Sequence, residues 1–378
     1  MALRADSNGI DASLYRKTGS WSTVLADASL GTTAAQEAAD QLPAEVAKTL
    51  KSQQADARDI AAMTEALTPA EGLRAPVARC VAVHEGQVVL NELIPGLKVE
   101  HTSVDVGPFP NFVSLARARG GAFSYLVAEV GRDGGEVHLY NTTSPERVAS
   151  RGIVGLPEET HVARKVPGEY DQPKNQSAAE EMARRNAEEV AELIREMASE
   201  TYVRLIVISG DVKSRELVSD LVHTSLKPLV AMLDANNRSG GGDRKAQDAE
   251  IRKLVDNVTA MDLQELSDKV AAQNGNSKSH LALGIEQVVQ ALQQAQAEIV
   301  LVSQYQDEHT LRALNAEPWL AAEDDPNHAE AVIGQWPAPE VLLRATALTD
   351  ATIRYVPDGL LPDGVGIAAL LRWPRNAG

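Results

Sequence analysis

The stretch 177–208 constrains the fold more than any other part of this chain. Ala179, Met182, Ala183, Val190, Leu193, Ile194 and Met197 recur at three- and four-residue spacing, which gives a helix over 177–198 one apolar stripe. Tyr202-Val203-Arg204-Leu205-Ile206-Val207-Ile208 then reads as a strand. Ser177-Ala178-Ala179-Glu180 has the spacing of a capping box, in which the hydroxyl and the carboxylate each satisfy a free backbone N–H. It sets the expected helix start at Ser177. Alternating strand and helix patterns of this kind imply a central sheet with helices packed on it.

The same alternation organises the rest. Residues 11–73 read as helical, with Ala-rich segments broken at Gly31, Pro43 and Thr68-Pro69. Strands at 77–83 and 87–90 flank His84-Glu85-Gly86 as a hairpin, and a short helix ends near Arg119. Gly120-Gly121 opens a second block, in which strands 123–130 and 136–140 flank the turn Asp133-Gly134-Gly135. A further helix runs to about His223, and Ser239-Gly240-Gly241-Gly242-Asp243 reads as a flexible insertion. The third block offers helices near 262–273, 280–296 and 338–348, with strands at 298–302, 353–356 and 367–371. The expectation is an α/β protein of three domains, 1–119, 120–262 and 263–378, the last an α/β sandwich.

Composition narrows the function. Net charge is −17, and it divides unevenly: 11 basic and 14 acidic side chains in 1–119, 18 and 24 in 120–262, 7 and 15 in 263–378. That balance opposes a broad DNA or RNA coat, which needs clustered Lys and Arg. It makes a protein the expected partner of the last third. The single cysteine, Cys80, excludes an internal disulfide and a multi-thiolate zinc site. No run approaches the roughly 18 apolar residues that span a bilayer, so the expected location is cytoplasmic and no membrane partner is implied.

The polar stretch 164–176 is the main candidate site. Tyr170 suits stacking on an unpaired base, and Gln172, Asn175 and Gln176 offer donors and acceptors to base edges. Arg164, Lys165 and Lys174 suit phosphates. An ordinary surface loop explains the same residues, and Glu169, Asp171, Glu180 and Glu181 oppose RNA. In the first domain Arg16 and Lys17, near Trp21, and Ser29 and Thr32 are secondary RNA candidates; a helix start with a half-buried Trp is the plainer account of the first group. Arg184 and Arg185, among glutamates at helical spacing, read as a solvated face.

Enzyme signals fail one by one. Lys278-Ser279 lacks phosphate-loop spacing, no Gly-x-Ser-x-Gly elbow is present, and Cys80 sits inside an apolar strand. The histidines are scattered, and Asp324, Asp325 and His328 fit an acidic loop better than a metal site. No catalytic residue, metal or cofactor is expected.

Two further stretches carry a resemblance. Gly284-Ile285-Glu286-Gln287-Val288-Val289-Gln290-Ala291-Leu292 with Ala297–Val302, and Asp363-Gly364-Val365-Gly366-Ile367 running on to Trp373, look like the opening and closing elements of the third domain of archaeal and eukaryotic class-one release factors and Pelota. Gln176-Ser177-Ala178 and Ala183-Arg184-Arg185 lie where release factors have their Gly-Gly-Gln tip and the following helix. Within that superfamily the chain resembles the bacterial Balon-type ribosome hibernation factors. The resemblance implies an RNA-contacting first domain at the decoding region and a middle domain reaching the peptidyl-transferase centre through 164–176. It implies a third domain that contacts elongation factor Tu. Lys174-Asn175 stand where release factors have Gly-Gly, and glycines there allow backbone conformations that side chains forbid. Docking without peptidyl-tRNA hydrolysis is therefore expected. A hydrolytic rescue or release factor using Gln176, and a Pelota-like recruiter to stalled ribosomes, are the alternatives.

Overall fold

The structure, a computed structural model, describes residues 10–30, 32–67, 75–95, 97–120, 123–142, 144–154, 172–201, 203–233, 244–274, 279–303 and 309–375. Packing gathers them into two units. One is Phe123–Asp262, and the other combines Ala5–Ala122 with Leu263–Gly378.

The N-terminal elements are α1 Ala12–Arg16, β1 Trp21–Asp27, α2 Thr33–Ser52, α3 Ala57–Ala66, β2 Val77–His84, β3 Gln87–Pro95, β4 Ser103–Gly107 and α4 Val113–Arg119. The four strands form an antiparallel sheet in the order β3-β2-β1-β4. Val24, Ala26, Val81 and Val83 face Val46, Leu50 and Met63 of α2 and α3. Trp21, Cys80 and Ala82 point to the other side, toward Phe109 and Phe112. The expectation that 11–73 is helical therefore fails at β1. A central strand covered on both faces carries apolar residues at odd and even positions alike, and its alternation is hidden. Pro43 lies inside α2 without ending it, another correction. The hairpin at His84-Glu85-Gly86 is as expected: Glu85 (φ 52°) and Gly86 (φ 76°) are both left-handed, as a two-residue turn that matches strand twist requires.

The inner unit holds β5 Ser124–Gly131, β6 Gly134–Asn141, β7 Ser144–Val154, α5 Gln172–Glu200, β8 Val203–Gly210, α6 Val212–Leu221, β9 Val230–Met232 and the first part of α7 Arg244–Gln273. Its five strands run β7-β6-β5-β8-β9, antiparallel through β5 and parallel from β5 onward. Leu126, Ala128, Ile206 and Ile208 meet Val190, Leu193, Ile194 and Met197 of α5, so the apolar stripe read from sequence is the buried face of that helix. Val127, Leu205 and Val207 pack instead against Ile251 of α7. The central sheet flanked by helices is as expected, but α5 starts at Gln172, not Ser177. Pro173 suits a first helical turn, where its missing N–H costs nothing. β7 and the helix over 244–261 were not foreseen. Ser239–Asp243 lie outside the described residues.

The C-terminal elements are β10 Leu281–Leu283, α8 Gly284–Gln293, β11 Ala297–Val302, β12 Thr310–Leu314, β13 Leu320–Ala321, β14 Val332–Pro337, α9 Ala338–Leu348, β15 Thr352–Tyr355 and β16 Ile367–Leu371. They make a sheet β10-β16-β11-β15 and a smaller one, β13-β12-β14. The helix expected over 280–296 splits into β10 and α8, and the smaller sheet was not read from sequence. Val341, Leu342 and Ala345 of α9 share one core with Tyr15, Phe112 and Leu115. At the level of packing, the segments expected as first and third domains make a single unit.

Candidate functional site

The structure distributes the candidate residues over three places. Arg164, Lys165 and Tyr170 lie outside the described residues. Gln172, Lys174, Asn175 and Gln176 fall in the opening turns of α5, so the last part of the expected loop 164–176 is helical. The decisive position, Lys174-Asn175-Gln176, thus sits on regular backbone that non-glycine residues adopt without strain. Further along α5, Arg184 pairs with Glu188 at 3.3 Å and Arg185 with Glu181 at 3.6 Å, all well exposed. These are the solvated pairs expected of a helix face, each worth a few tenths of a kcal/mol.

The N-terminal candidates do not converge. Arg16 and Lys17 are exposed at the end of α1, before β1 begins. Ser29 and Thr32 follow the other end of β1, a strand of 7 residues. At about 3.3 Å per residue that separates the two pairs by roughly 20 Å. Ser29 and Thr32 also have structural work. The Ser29 hydroxyl donates to Asp27 Oδ1 at 2.5 Å and accepts from the Val77 N–H at 2.9 Å. Thr32 caps α2 by accepting from the Ala35 N–H at 3.1 Å. Trp21 is fully buried rather than half-buried, stacked on His84 with ring centres 4.5 Å apart.

Sequence reasoning missed a cluster on the inner unit. The rings of Tyr125 and Tyr140 stack at 5.3 Å, and exposed Arg147 donates from Nε to the Tyr140 hydroxyl at 3.1 Å. Beside them buried His138 lies 2.8 Å from Ser150 Oγ through Nδ1. Burial, then the Arg147 guanidinium, holds this imidazole below its ordinary value. Burial pushes the Tyr125 hydroxyl up to about 12. A guanidinium held beside stacked aromatic rings is chemistry suited to phosphates and bases. The pairing was legible in principle, because Tyr125 and Tyr140 stand opposite each other when counted back from the Gly131↔Gly134 pair.

The C-terminal motifs do come together. Gly284 and Ile285 from one, and Gly364, Val365 and Gly366 from the other, line a single cleft of about 430 Å³ with His309 and Asp358. Among the described residues no group of three His, Cys, Asp or Glu is placed to hold a metal ion, and no helix is long and apolar enough to cross a membrane.

Buried Cys80 and half-buried Glu340, in the same unit, have shifted titrations. Burial, then the Glu92 carboxylate, pushes the Cys80 thiol up to about 12. A thiol-specific reagent at pH 8 is expected to label it only after denaturation; rapid labelling of native protein would contradict this burial. Burial, then the Asp105 carboxylate, raises the Glu340 carboxyl from 4.5 to about 7, while Asn111 Nδ2 donates to its Oε1 at 3.3 Å. A carboxyl raised in the folded state stabilises most below its unfolded pKa of 4.5, and that contribution is lost as pH rises through about 7. Glu340→Gln is therefore expected to gain on wild type between those values. Above pH 7 it should be more stable by on the order of 1–2 kcal/mol, discounted for partial exposure. Denaturant titrations at pH 4 and pH 8 check this; an equal difference at both ends would refute it.

With this geometry in view, residues 124–276 match the family model described as "Bacterial archaeo-eukaryotic release factor family 2". That segment, less than half of the chain, is what is similar to the bacterial archaeo-eukaryotic release factors. The match spans the inner unit and the remainder of α7. Solved structures similar to the chain include an archaeal translation termination factor, aRF1 (13% identity, 96% of this chain and 99% of that one, TM-score 0.26). Dom34 of S. cerevisiae shows 10% identity over 80% of this chain and 81% of that one, with a TM-score of 0.42. An archaeal Pelota, in a model of ribosome-bound Pelota and ABCE1, shows 13% identity over 98% of both chains, with a TM-score of 0.40. No curated protein matches.

Proposed function

We propose that this chain is a ribosome-associated, release-factor-like protein that docks without catalysis, as a hibernation factor of the Balon type. The observation that carries the reading is the release-factor family match over 124–276. The helical placement of Lys174-Asn175-Gln176 supports the non-catalytic form, since a flexible glycine tip is replaced by ordinary helix. In this reading the factor occupies the ribosomal A site and reaches from the decoding region to the peptidyl-transferase centre. The acidic segment 263–378 meets elongation factor Tu. Occupancy keeps idle ribosomes inactive during stress or dormancy.

The test is sedimentation of the purified chain with vacant and translating ribosomes, with and without elongation factor Tu, coupled to a peptide-release assay. Co-sedimentation without release is expected, and Gln176→Ala should leave it unchanged. Peptide release that Gln176→Ala abolishes would make the chain a hydrolytic factor. Failure to bind either ribosome form would sink the ribosomal reading.

A further inference from the structure

A groove runs along the inner unit between α5 and β7. Its volume is about 610 Å³, its floor is Ile153 and Leu193, and one wall carries Glu188, Glu189, Glu192 and Glu196. Glu188, Glu192 and Glu196 stand one helical turn apart, so their carboxylates line up along the groove. Arg185 also lines it, and beyond the lining residues Arg151 of β7 ties to α5 by donating to both oxygens of Glu200 at 3.0 and 2.7 Å. The pairs Arg184–Glu188 and Arg195–Glu192 flank the wall on exposed side chains, and such pairs exchange partners at little cost.

The second wall is a strand edge. β7 ends the five-stranded sheet, and among the described residues no strand lies on its outer side. Residues 147–152 are all exposed, Val148 by 59%. Leu139 opposes Ala149 while Tyr140 opposes Arg147, so Val148 is an extra residue that bulges out of the ladder. From Ala149 to Ile153 the pairing with β6 is regular. Alternate N–H and C=O groups of that edge point away from β6, a template for one more strand. A strand laid there would turn every second side chain toward the carboxylates of α5 and the apolar floor.

We propose that this groove docks a basic, extended peptide segment of a partner protein, which adds to β7 as a sixth strand. The backbone edge supplies affinity, and the glutamate row selects Lys or Arg at alternating positions with apolar residues beside them. Nucleic acid is excluded by the same carboxylates, so this face is opposite in character to the Tyr125–Tyr140–Arg147 cluster. The inference does not depend on ribosome binding.

The full chain is titrated with a fluorescent peptide of alternating Lys and Val, about a dozen residues long, and with a charge-matched version in which Pro replaces Val and strand pairing is impossible. Binding that weakens at least about tenfold for the Pro peptide, and by a similar factor in the Glu188→Gln, Glu192→Gln, Glu196→Gln triple variant, is expected. Hydrogen-exchange protection should appear over 149–153. Circular dichroism checks that the variant keeps its fold, since those side chains are exposed. Equal binding of both peptides, no effect of the triple variant, protection elsewhere, or no binding at low salt would each overturn the proposal. Tighter peptide binding after Arg164→Glu with Lys165→Glu would assign the groove to the chain's own segment, and would overturn it too.

Discussion

Gly210→Ala is expected to prevent the Phe123–Asp262 unit from folding, with a cost above about 4 kcal/mol. Gly210 closes β8 at φ +117°, where side chains are rarely found. A Cβ placed there would lie 2.0 Å from the Val130 carbonyl oxygen and 2.9 Å from that residue's carbonyl carbon and nitrogen. Those atoms are backbone in the middle of a sheet. Val130 is paired with Gly135 on β6 and with Gly210 itself, so it cannot retreat without opening both ladders. The Val130 oxygen also accepts from the N–H of Asp211 at 3.0 Å, and Asp211 caps α6 through the Ser214 N–H. One methyl group thus disturbs the parallel pairing and a helix start together. Gly364→Ala is the control: its φ is +68°, but nothing lies within 4 Å of the added Cβ. It should cost only about 1 kcal/mol. Thermal unfolding of the two variants beside wild type decides the matter, and similar losses would show that the sheet yields at Val130. Ribosome co-sedimentation should vanish with Gly210→Ala and survive Gly364→Ala.

That requirement marks the boundary of what sequence reveals. Ser209-Gly210-Asp211 is legible as the end of a strand, and the stripe from Val190 to Met197 as the buried face of a helix, because both are periodic within one element. The packing of Gly210 against Val130 joins residues far apart in sequence, and periodicity within one segment does not report it. β1 is hidden in the sequence for a related reason: α2 and α3 cover one face and the aromatic residues Phe109 and Phe112 share the core of the other, which erases its alternation. The start of α5 is ambiguous in the sequence because Ser177-Ala178-Ala179-Glu180 satisfies a local rule, while Gln172-Pro173 is an equally good start five residues earlier. At the candidate site, type and region were readable, but the convergence of residues was not. Arg16 and Thr32 both fall in a region expected as helical, and the strand β1 that separates them is not legible there.

The second large effect is expected at Arg344, where three substitutions should separate volume from charge. Arg344 is 3% exposed on α9, with its guanidinium 5.4 Å from the Phe109 ring centre and 5.7 Å from that of Trp319. One nitrogen donates to the Trp319 carbonyl at 3.1 Å, while Nε has no hydrogen-bond partner, and among the described residues Arg344 makes no salt bridge. Burial accordingly pulls the group down to about 10. Two ring contacts and one carbonyl bond offset only part of the desolvation of a cation, so its stem contributes more than its charge. Arg344→Ala empties the space between the rings and should cost about 3 kcal/mol. Arg344→Met keeps most of the volume without a buried charge and should stay within about 1 kcal/mol of wild type. Arg344→Lys retains the charge but loses the planar face that stacks on both rings, and should fall nearer Ala than Met. Urea denaturation followed by tryptophan fluorescence reads all three, since Trp319 and Trp336 pack against this core. If Met proves as damaging as Ala while Lys is mild, the cation holds this core together and the assignment to packing is wrong.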